Sequence, residues 1–413
     1  MLKSAVQSLN QYLQFRFKRA TTVIEASDGL VELPDLLETQ ITKRLATLPS
    51  PKPYRDTVQT EISNAIEAWQ QNLDAPNSLV FLGSPVEPIN SILNDSLRQW
   101  VDPPASIITP LPCIARPLDP WQLKQQVENA LRPYAQIDPP DSKDPDHQPD
   151  PDALDNRKTL ILIPCLEQCF LRCIGGWESI EYLRDVAIHH RNCFWVMGCN
   201  HWAWDFLDFV CQVSAYFSEV KALPELDGEM LKEWLDPVVK TIVATPTEAD
   251  QKPTENNGDD EEDDRPEYWD VLARKSLGVS SIAKSMWLHS LRLEKEILEA
   301  TEDLRELNLL QQQDGAEKEP ITLHEVRPSA PILPSLSGDD RYLMHSLLIH
   351  GQMTRSHLAF SLGQAEGQIQ SEIQSLPRKG LIERTNGGLT VAAPHYSKLK
   401  TELSNNNFFV GDD

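Results

Sequence analysis

The chain has 413 residues, enough for two or three domains with sizeable cores. Its 40% apolar content and ten Trp place it among globular proteins rather than disordered ones. The net charge of −24 argues against broad binding to nucleic acid, and no apolar run approaches the roughly 18 residues of a membrane span.

The charge is concentrated. Residues 137–157 hold seven Asp against Lys143 and Arg157, and residues 248–267 hold ten acidic side chains against Lys252 and Arg265. Both stretches are poor in apolar residues and read as solvated insertions or linkers, leaving the rest of the chain mildly acidic. Seven Cys, an odd number spread over a large acidic chain, suit a reducing compartment. The first twenty residues lack the apolar core and cleavage site of a signal peptide, so a cytoplasmic location is expected.

In chain order, residues 1–20 read as an amphipathic helix, with Leu2, Val6, Leu9, Leu13 and Phe17 on one face. Arg16, Lys18 and Arg19 make its end basic. Its polar face is mostly Gln, Ser and Asn, which favours packing on protein over lying on a membrane surface. Residues 35–48 and 54–72 read as helices, the first with Asp35 as a candidate N-cap, the second with Val58, Ile62, Ile66 and Trp69 in a stripe. Then comes a short apolar strand at 79–82, a loop, and an amphipathic helix over 89–100.

That loop, Gly83-Ser84-Pro85-Val86-Glu87-Pro88-Ile89-Asn90, stands where a strand–loop–helix phosphate site would carry GxxxxGK[ST]. Gly83 fits. Pro88 replaces the second Gly and removes an N–H. Ile89 replaces the Lys that would reach the terminal phosphates, Asn90 replaces the hydroxyl that would hold Mg²⁺, and Glu87 adds a negative charge.

Further on, 106–110 reads as a strand and 119–131 as a helix. The continuous apolar run 159–163 has the pattern of a buried parallel strand. A helix over 178–189, an apolar strand over 193–198, an aromatic-rich helix over 202–217 and a short strand over 219–223 follow. This alternation predicts an α/β core with a parallel sheet between helices. After the second acidic stretch, helices are expected over 266–275 and 280–311. At the C-terminus, three helices (341–350, 354–362, 364–376) precede two extended segments joined by Asn386-Gly387-Gly388, a hairpin signal; this is the order of a winged helix.

The pattern resembles the AAA+ and STAND-type P-loop ATPases, especially the origin-recognition-like group, in which Walker A, Walker B and sensor 1 lie on successive strands and sensor 2 on a helical lid. The resemblance implies N-terminal helices (1–53), an AAA+-like core (54–241), an acidic linker (242–266), a helical lid (267–313), a further linker (314–337) and a winged-helix domain (338–413). It does not carry the family's catalytic residues over. Pro164 and Cys165 stand where Walker B has Asp-Glu, with Glu167 two residues beyond. Asn200 matches sensor 1, and Ser281 replaces the sensor 2 Arg. Phosphoryl transfer depends on positioning and on charges that this pattern lacks, so no ATPase activity and no cofactor are expected. ATP or ADP binding without hydrolysis, through the 83–87 backbone and Asn200, is a secondary reading.

Cys165, Cys169 and Cys173 recur every four residues, but without the CxxC pairs usual for zinc; packing as small apolar side chains is the preferred reading. In the winged helix, the third helix presents Glu366, Gln368, Gln370, Glu372 and Gln374, and residues 339–413 hold seven Lys or Arg against eight Asp or Glu. This favours docking on protein over DNA. Arg378, Lys379, Arg384 and Asn386 are the candidate contacts in either case. The expected function is a regulatory or scaffold role through protein partners, including the chain itself or an active ATPase relative, with DNA binding as the alternative.

Overall fold

The computed structural model describes residues 29–113, 115–135, 157–242, 244–246, 268–300, 323–385 and 388–411. The expected helix over 1–20 lies outside them, as do nearly all of both acidic stretches. In chain order the elements are β1 (Leu30–Glu32), α1 (Asp35–Leu45), α2 (Lys52–Gln71), β2 (Ser78–Gly83), α3 (Ile89–Arg98), β3 (Ser106–Ile108), α4 (Gln122–Leu131), β4 (Thr159–Ile163), α5 (Glu178–His189), β5 (Cys193–Asn200), α6 (His201–Cys211), β6 (Val220–Ala222) and α7 (Gly228–Ile242). There follow β7 (Ala244–Pro246), α8 (Tyr268–Lys275), α9 (Ser280–Ser290), β8 (Leu291–Glu294), α10 (Lys295–Ala300), β9 (Leu323–Glu325), α11 (Gly338–His350), α12 (Arg355–Leu362), α13 (Glu366–Ser375), β10 (Ile382–Thr385), β11 (Gly388–Val391) and α14 (Tyr396–Asn405).

The chain forms two compact units. The larger comprises residues 44–238, 262–290 and 327–413. Its sheet has the order β3-β4-β5-β2-β6, with every neighbouring pair parallel. Leu79 and Phe81 of β2, Leu160 and Leu162 of β4, and Phe194 and Val196 of β5 face one side. There they meet Val58, Ile62, Ile66 and Trp69 of α2 and Ile89, Leu93 and Leu97 of α3. The intervening residues Val80, Ile161 and Trp195 are equally buried on the other side, which explains why these strands read as unbroken apolar runs rather than alternating ones. This is a P-loop NTPase-like α/β fold.

Strand order fixes where a site can form. After β2 the chain crosses to β3 at one edge, works back through β4 to β5, and then passes β2 to reach β6. The connections leaving β5 and β2 therefore run in opposite directions. In an open parallel sheet such a reversal leaves a crevice at the carboxyl ends of the two strands. Here those ends are Asn200 and Gly83, directly paired in register.

The C-terminal residues belong to the same unit. Ser337 opens α11 with a reciprocal capping box to Asp340. Helices α11 to α13 are followed by the antiparallel β10–β11 pair, in register from Ile382↔Val391 to Thr385↔Gly388. Leu343, Met344, Leu347, Leu348 and Ile349 are buried on α11 together with His345, Ser346 and His350, so its last two turns are covered on every side, by apolar and polar contacts alike.

Three expectations need correction. Residues 280–311 read as helix, but α9 stops at Ser290 and Leu291–Glu294 is a strand. It pairs antiparallel with β1 and with β9, and β9 pairs with β7, giving a sheet of order β1-β8-β9-β7 in the smaller unit. The linker over 242–266 likewise contains β7. Finally Arg157, counted with the solvated insertion, is 3% exposed. Its guanidinium donates to the carbonyls of Trp69, Asn72 and Leu73 and lies 5.2 Å from the Trp69 ring centre, so that it ties the end of α2 to the start of β4.

Gly198 of β5 lies under the 83–90 loop, where a Cβ would collide with the Pro164 carbonyl oxygen and stand 2.7 Å from Leu93 Cδ1. Gly198→Ala should therefore destabilise the protein by about 1–3 kcal/mol. The expected readout is a lower urea midpoint with an unchanged m value.

Candidate functional site

At the carboxyl end of β2, the loop after Gly83 turns tightly. Glu87 N–H donates to the Ser84 carbonyl, and Ile89 N–H donates to the Glu87 carbonyl at 2.9 Å across Pro88. With φ −79 and ψ 68, Pro88 is the centre of an inverse γ-turn. Pro85 and Pro88 have no N–H, and those of Glu87 and Ile89 are spent within the loop. The converging N–H groups that make a phosphate cradle are thus largely used or missing. Pro88 is the N-cap of α3 rather than a residue of its first turn.

Ile89, at the expected Lys position, is 1% exposed and points inward, with its side chain next to Gly83 and Gly198. Asn90 reaches the other way: its Nδ2 is 3.5 Å from the Cys113 carbonyl oxygen, and its Oδ1 accepts from Asn94 Nδ2 at 2.6 Å. Ser84 Oγ is buried without a hydrogen-bond partner.

Glu87 is 6% exposed, and its carboxylate meets the first turn of α9. Ser280 Oγ donates to Oε1; Ser281 N–H donates to Oε2 at 3.1 Å and Ser281 Oγ at 2.9 Å. Tyr54 O–H, from α2, donates to the Gly278 carbonyl at 3.3 Å and helps shape the same corner. A helix N-terminus offers unpaired N–H groups and a positive dipole end, so an acidic side chain is well placed here. Burial pushes the Glu87 carboxyl up from its usual range, and the Ser280 and Ser281 hydrogen bonds hold it partly down. Glu87 and Ser281 were each identified in the sequence; their contact with one another was not.

The β4–β5 half of the crevice is filled by the end of α11. Asn200 is 1% exposed. Its Oδ1 caps α6 by accepting from Ala203 N–H at 2.8 Å, and its Nδ2 donates to the Ile349 carbonyl at 3.1 Å. Pro164 and Cys165 lead into a 3₁₀ turn, Leu166–Gln168. Gln168 Nε2 donates to the His350 carbonyl at 3.3 Å. Glu167, 5% exposed, lies beside Gly351; its Oε2 has no partner, and burial raises its carboxyl pKa.

Two arginines that the sequence reading passed over complete this half. Arg116 is 5% exposed. It donates to the Phe170 carbonyl through Nε at 2.9 Å, to that of Gln352 through Nη1 at 3.2 Å, and to those of Glu167 and His350 through Nη2. Burial lowers its pKa to about 10, which leaves it cationic at neutral pH. Arg172 donates through its main-chain N–H to His350 Nε2, through Nη1 to His345 Nδ1, and through Nη2 to Ser346 Oγ, each at 3.1 Å. The last carbonyls of α11 have no partner within their own helix. They find amide and guanidinium donors from the core instead, at the negative end of the helix dipole. A lone Arg116 between Ala115 and Pro117, in an otherwise uncharged stretch, was the one available sequence signal.

Three cysteines, Cys113, Cys165 and Cys169, border this polar seam beside Arg116. Cys165 and Cys169 are buried and Cys173 is half-buried; Cys169 Sγ lies 3.7 Å from Cys113 Sγ. Burial raises the Cys165 thiol. Among the described residues, no trio of His, Cys, Asp or Glu is arranged to hold a metal ion. In the C-terminal helices, Lys379 Nζ is 3.4 Å from Asp340 Oδ2, while Arg355 pairs with Glu366 at 3.1 Å and reaches Gln370. Arg384 is exposed. The Arg378 side chain and Asn386 lie outside what is described. Among the described residues, no helix is long and apolar enough to cross a membrane.

No family model matches the sequence, and no curated protein matches it. Among solved structures, the chain is similar to Cdc6p from Pyrobaculum aerophilum at 13% identity and a TM-score of 0.36, over 92% of this chain and 100% of that one. It is similar to the RuvB Holliday junction branch migration motor of Thermotoga maritima at 14% identity and a TM-score of 0.28, over 84% and 94% of the two chains. A Walker-type ATPase of Pyrococcus abyssi matches at 12% identity and a TM-score of 0.32, over 84% and 95%.

The Glu87 contact makes a direct prediction. Glu87→Ala should lower stability by about 1–3 kcal/mol, because the buried Ser280 hydroxyl and the half-buried Ser281 N–H would lose their acceptor. Glu87→Gln keeps one carbonyl acceptor for that N–H and should cost less than half as much. Thermal melts of the two variants at pH 7 check the order.

Proposed function

We propose that this protein is a non-catalytic, AAA+-like regulatory or scaffold protein that acts through protein partners. The observation that carries the reading is the seating of Glu87 on the first turn of α9. It places the chain's own carboxylate on backbone and hydroxyl donors at the crevice, beside a loop whose prolines and internal hydrogen bonds leave few N–H groups for phosphate. The replacements at Pro88, Ile89, Asn90, Pro164, Cys165 and Ser281 agree with it, since each removes a charge or donor that phosphoryl transfer uses.

The protein-binding half of the proposal draws on the outer surface. Leu118, Trp121 and Ile174 are 67%, 69% and 88% exposed. Trp121 and the loop after Ile174 adjoin one another, since a Cβ at Gly175 would lie 3.5 Å from Trp121 Cζ3. Large apolar side chains gathered at one exposed corner favour contact with another protein. The C-terminal helices are proposed as a winged helix used for protein docking, since the Arg355 and Lys379 cations are engaged within the chain.

Two measurements test this. ATP or ADP with Mg²⁺ at millimolar concentration should shift the melting temperature by less than about 1 °C. A ligand at a hundred times its Kd would stabilise by about 2.7 kcal/mol, a shift of at least about 2 °C for a chain of this size, and would mark the protein as a nucleotide binder instead. A pull-down from the native cell should recover a protein partner that is lost with Trp121→Ala at unchanged melting temperature. Retention of duplex DNA at physiological salt, abolished by Arg384→Ala, would favour the DNA-binding alternative.

A further inference from the structure

The seam between the sheet and the C-terminal helices carries an unusual set of side chains. His345, His350 and His357 are all buried there, at 5%, 0% and 2% exposure. Each is held with one ring nitrogen as an acceptor. Arg172 Nη1 points at His345 Nδ1, Arg172 N–H at His350 Nε2, and Thr354 N–H at His357 Nδ1. The opposite nitrogens of His345 and His357 donate to the carbonyls of Phe409, at 2.6 Å, and Pro117, at 2.7 Å. His350 Nδ1 has no partner, and its ring centre lies 4.8 Å from that of Phe170.

A proton added to any of these acceptor nitrogens would oppose a donor. For His345 and His350 the donor belongs to an arginine. The charged and titratable groups facing the seam are Arg116 from the loop before α4, Arg172 from the loop before α5, Glu167 from the 3₁₀ turn, the three histidines themselves, and the thiols of Cys113, Cys165 and Cys169 beside Arg116. The Cys169 contact and burial raise the Cys113 thiol, and burial raises that of Cys165, so both stay neutral at neutral pH and below. Tyr342 lies one turn before His345 on α11 and faces Arg172. The Trp202 ring from α6 and the Phe408 ring after α14 also cover His345. Glu167, whose carboxyl is itself raised by burial, supplies progressively less negative charge as pH falls.

We propose that this seam is an acid-sensitive clasp: the C-terminal helices and hairpin stay seated on the sheet while the three imidazoles are neutral, and they lift off as a unit when these are protonated, uncovering Arg116, Gln168, Arg172 and Asn200 at the carboxyl ends of β4 and β5. The linkage has a definite sign. Burial, first of all, lowers His345 and His357 to about 4, and lowers His350 well below its ordinary value, with Arg116 and Arg172 adding to the effect. An exposed imidazole titrates near pH ~6.5. The released form therefore binds more protons, and docking is complete above pH ~6.5 and lost as pH falls toward 4. Each histidine weakens docking tenfold per pH unit in that window, so three together give up to about a thousandfold.

The test is hydrogen-exchange mass spectrometry on the full chain between pH 7.5 and 5.0, corrected for the intrinsic rate, with far-UV circular dichroism in parallel. Peptides covering 345–353 and 166–173 should lose protection steeply below pH ~6.5, while those covering β2 and β5 keep theirs and the dichroism is unchanged. The double variant His345→Gln, His357→Gln retains neutral donors and acceptors and should lose protection with a slope near tenfold per pH unit. Protection that persists to pH 5.0, that falls together with β2 and β5, or that falls with the same slope in the double variant would overturn the proposal. Should the double variant not fold, imidazole Cε1–H resonances of the native chain decide the matter. Joint titration with loss of protection supports the clasp, and titration near 6.5 with protection retained refutes it.

Discussion

The larger unit depends on one buried cation. Arg116 has no close carboxylate partner among the described ion pairs; it is held by four main-chain carbonyls, two from the core and two from the C-terminal segment. A guanidinium taken out of water carries a penalty of several kcal/mol. Its planar fork can offset this only if several N–H groups are satisfied at once, and the carbonyls at the end of α11 are oriented to do so. One side chain therefore joins the loop before α4, the 3₁₀ turn after β4 and the corner after α11.

The same economy appears on the other side of the crevice, with the polarity reversed. The core presents cations and amides to the carbonyl end of α11, whereas it presents a carboxylate to the N–H end of α9. Helix termini are obligatory sources of unpaired polar groups. At a strand-order reversal, where the sheet leaves an opening, they are ordinarily met by a ligand. In this chain Glu87 meets the N–H end of α9, and Asn200 and Arg116 meet the carbonyl end of α11.

How much of this could be read from the sequence follows from the range of the interactions. Strands β2, β4 and β5 were legible because a buried parallel strand imposes its own local composition. Asn200 was picked out by its place at the end of β5 in the family resemblance, whereas its roles as the N-cap of α6 and as a donor to the Ile349 carbonyl were not foreseen. The three-residue strands β7 and β9 leave too short a pattern to register, and β8 lies in a stretch whose flanks are helical. The residues that hold the site together were hardest to see. Arg116 and Arg172 act on carbonyls far away in sequence, and a main-chain acceptor has no residue type. Arg157 was assigned by the charge of its neighbours rather than by its own surroundings. Glu87 looked like a misplaced charge until its partner, at the start of α9, was identified.

The smaller sheet has a consequence for how the chain comes to be folded. Its four described strands are drawn from the early, the middle and the later part of the sequence, and the first of them to be synthesised, β1, pairs among the described residues with β8 alone. Contacts so distant along the chain are slow to form, because a long loop must be closed before any of them is gained. During synthesis domains tend to fold in order from the N-terminus, yet β1 has no strand to pair with until most of the larger unit has left the ribosome. Its exposed edge over that interval makes the earliest of the described strands one of the last to be secured, and a point at which a nascent chain is open to wrong pairing.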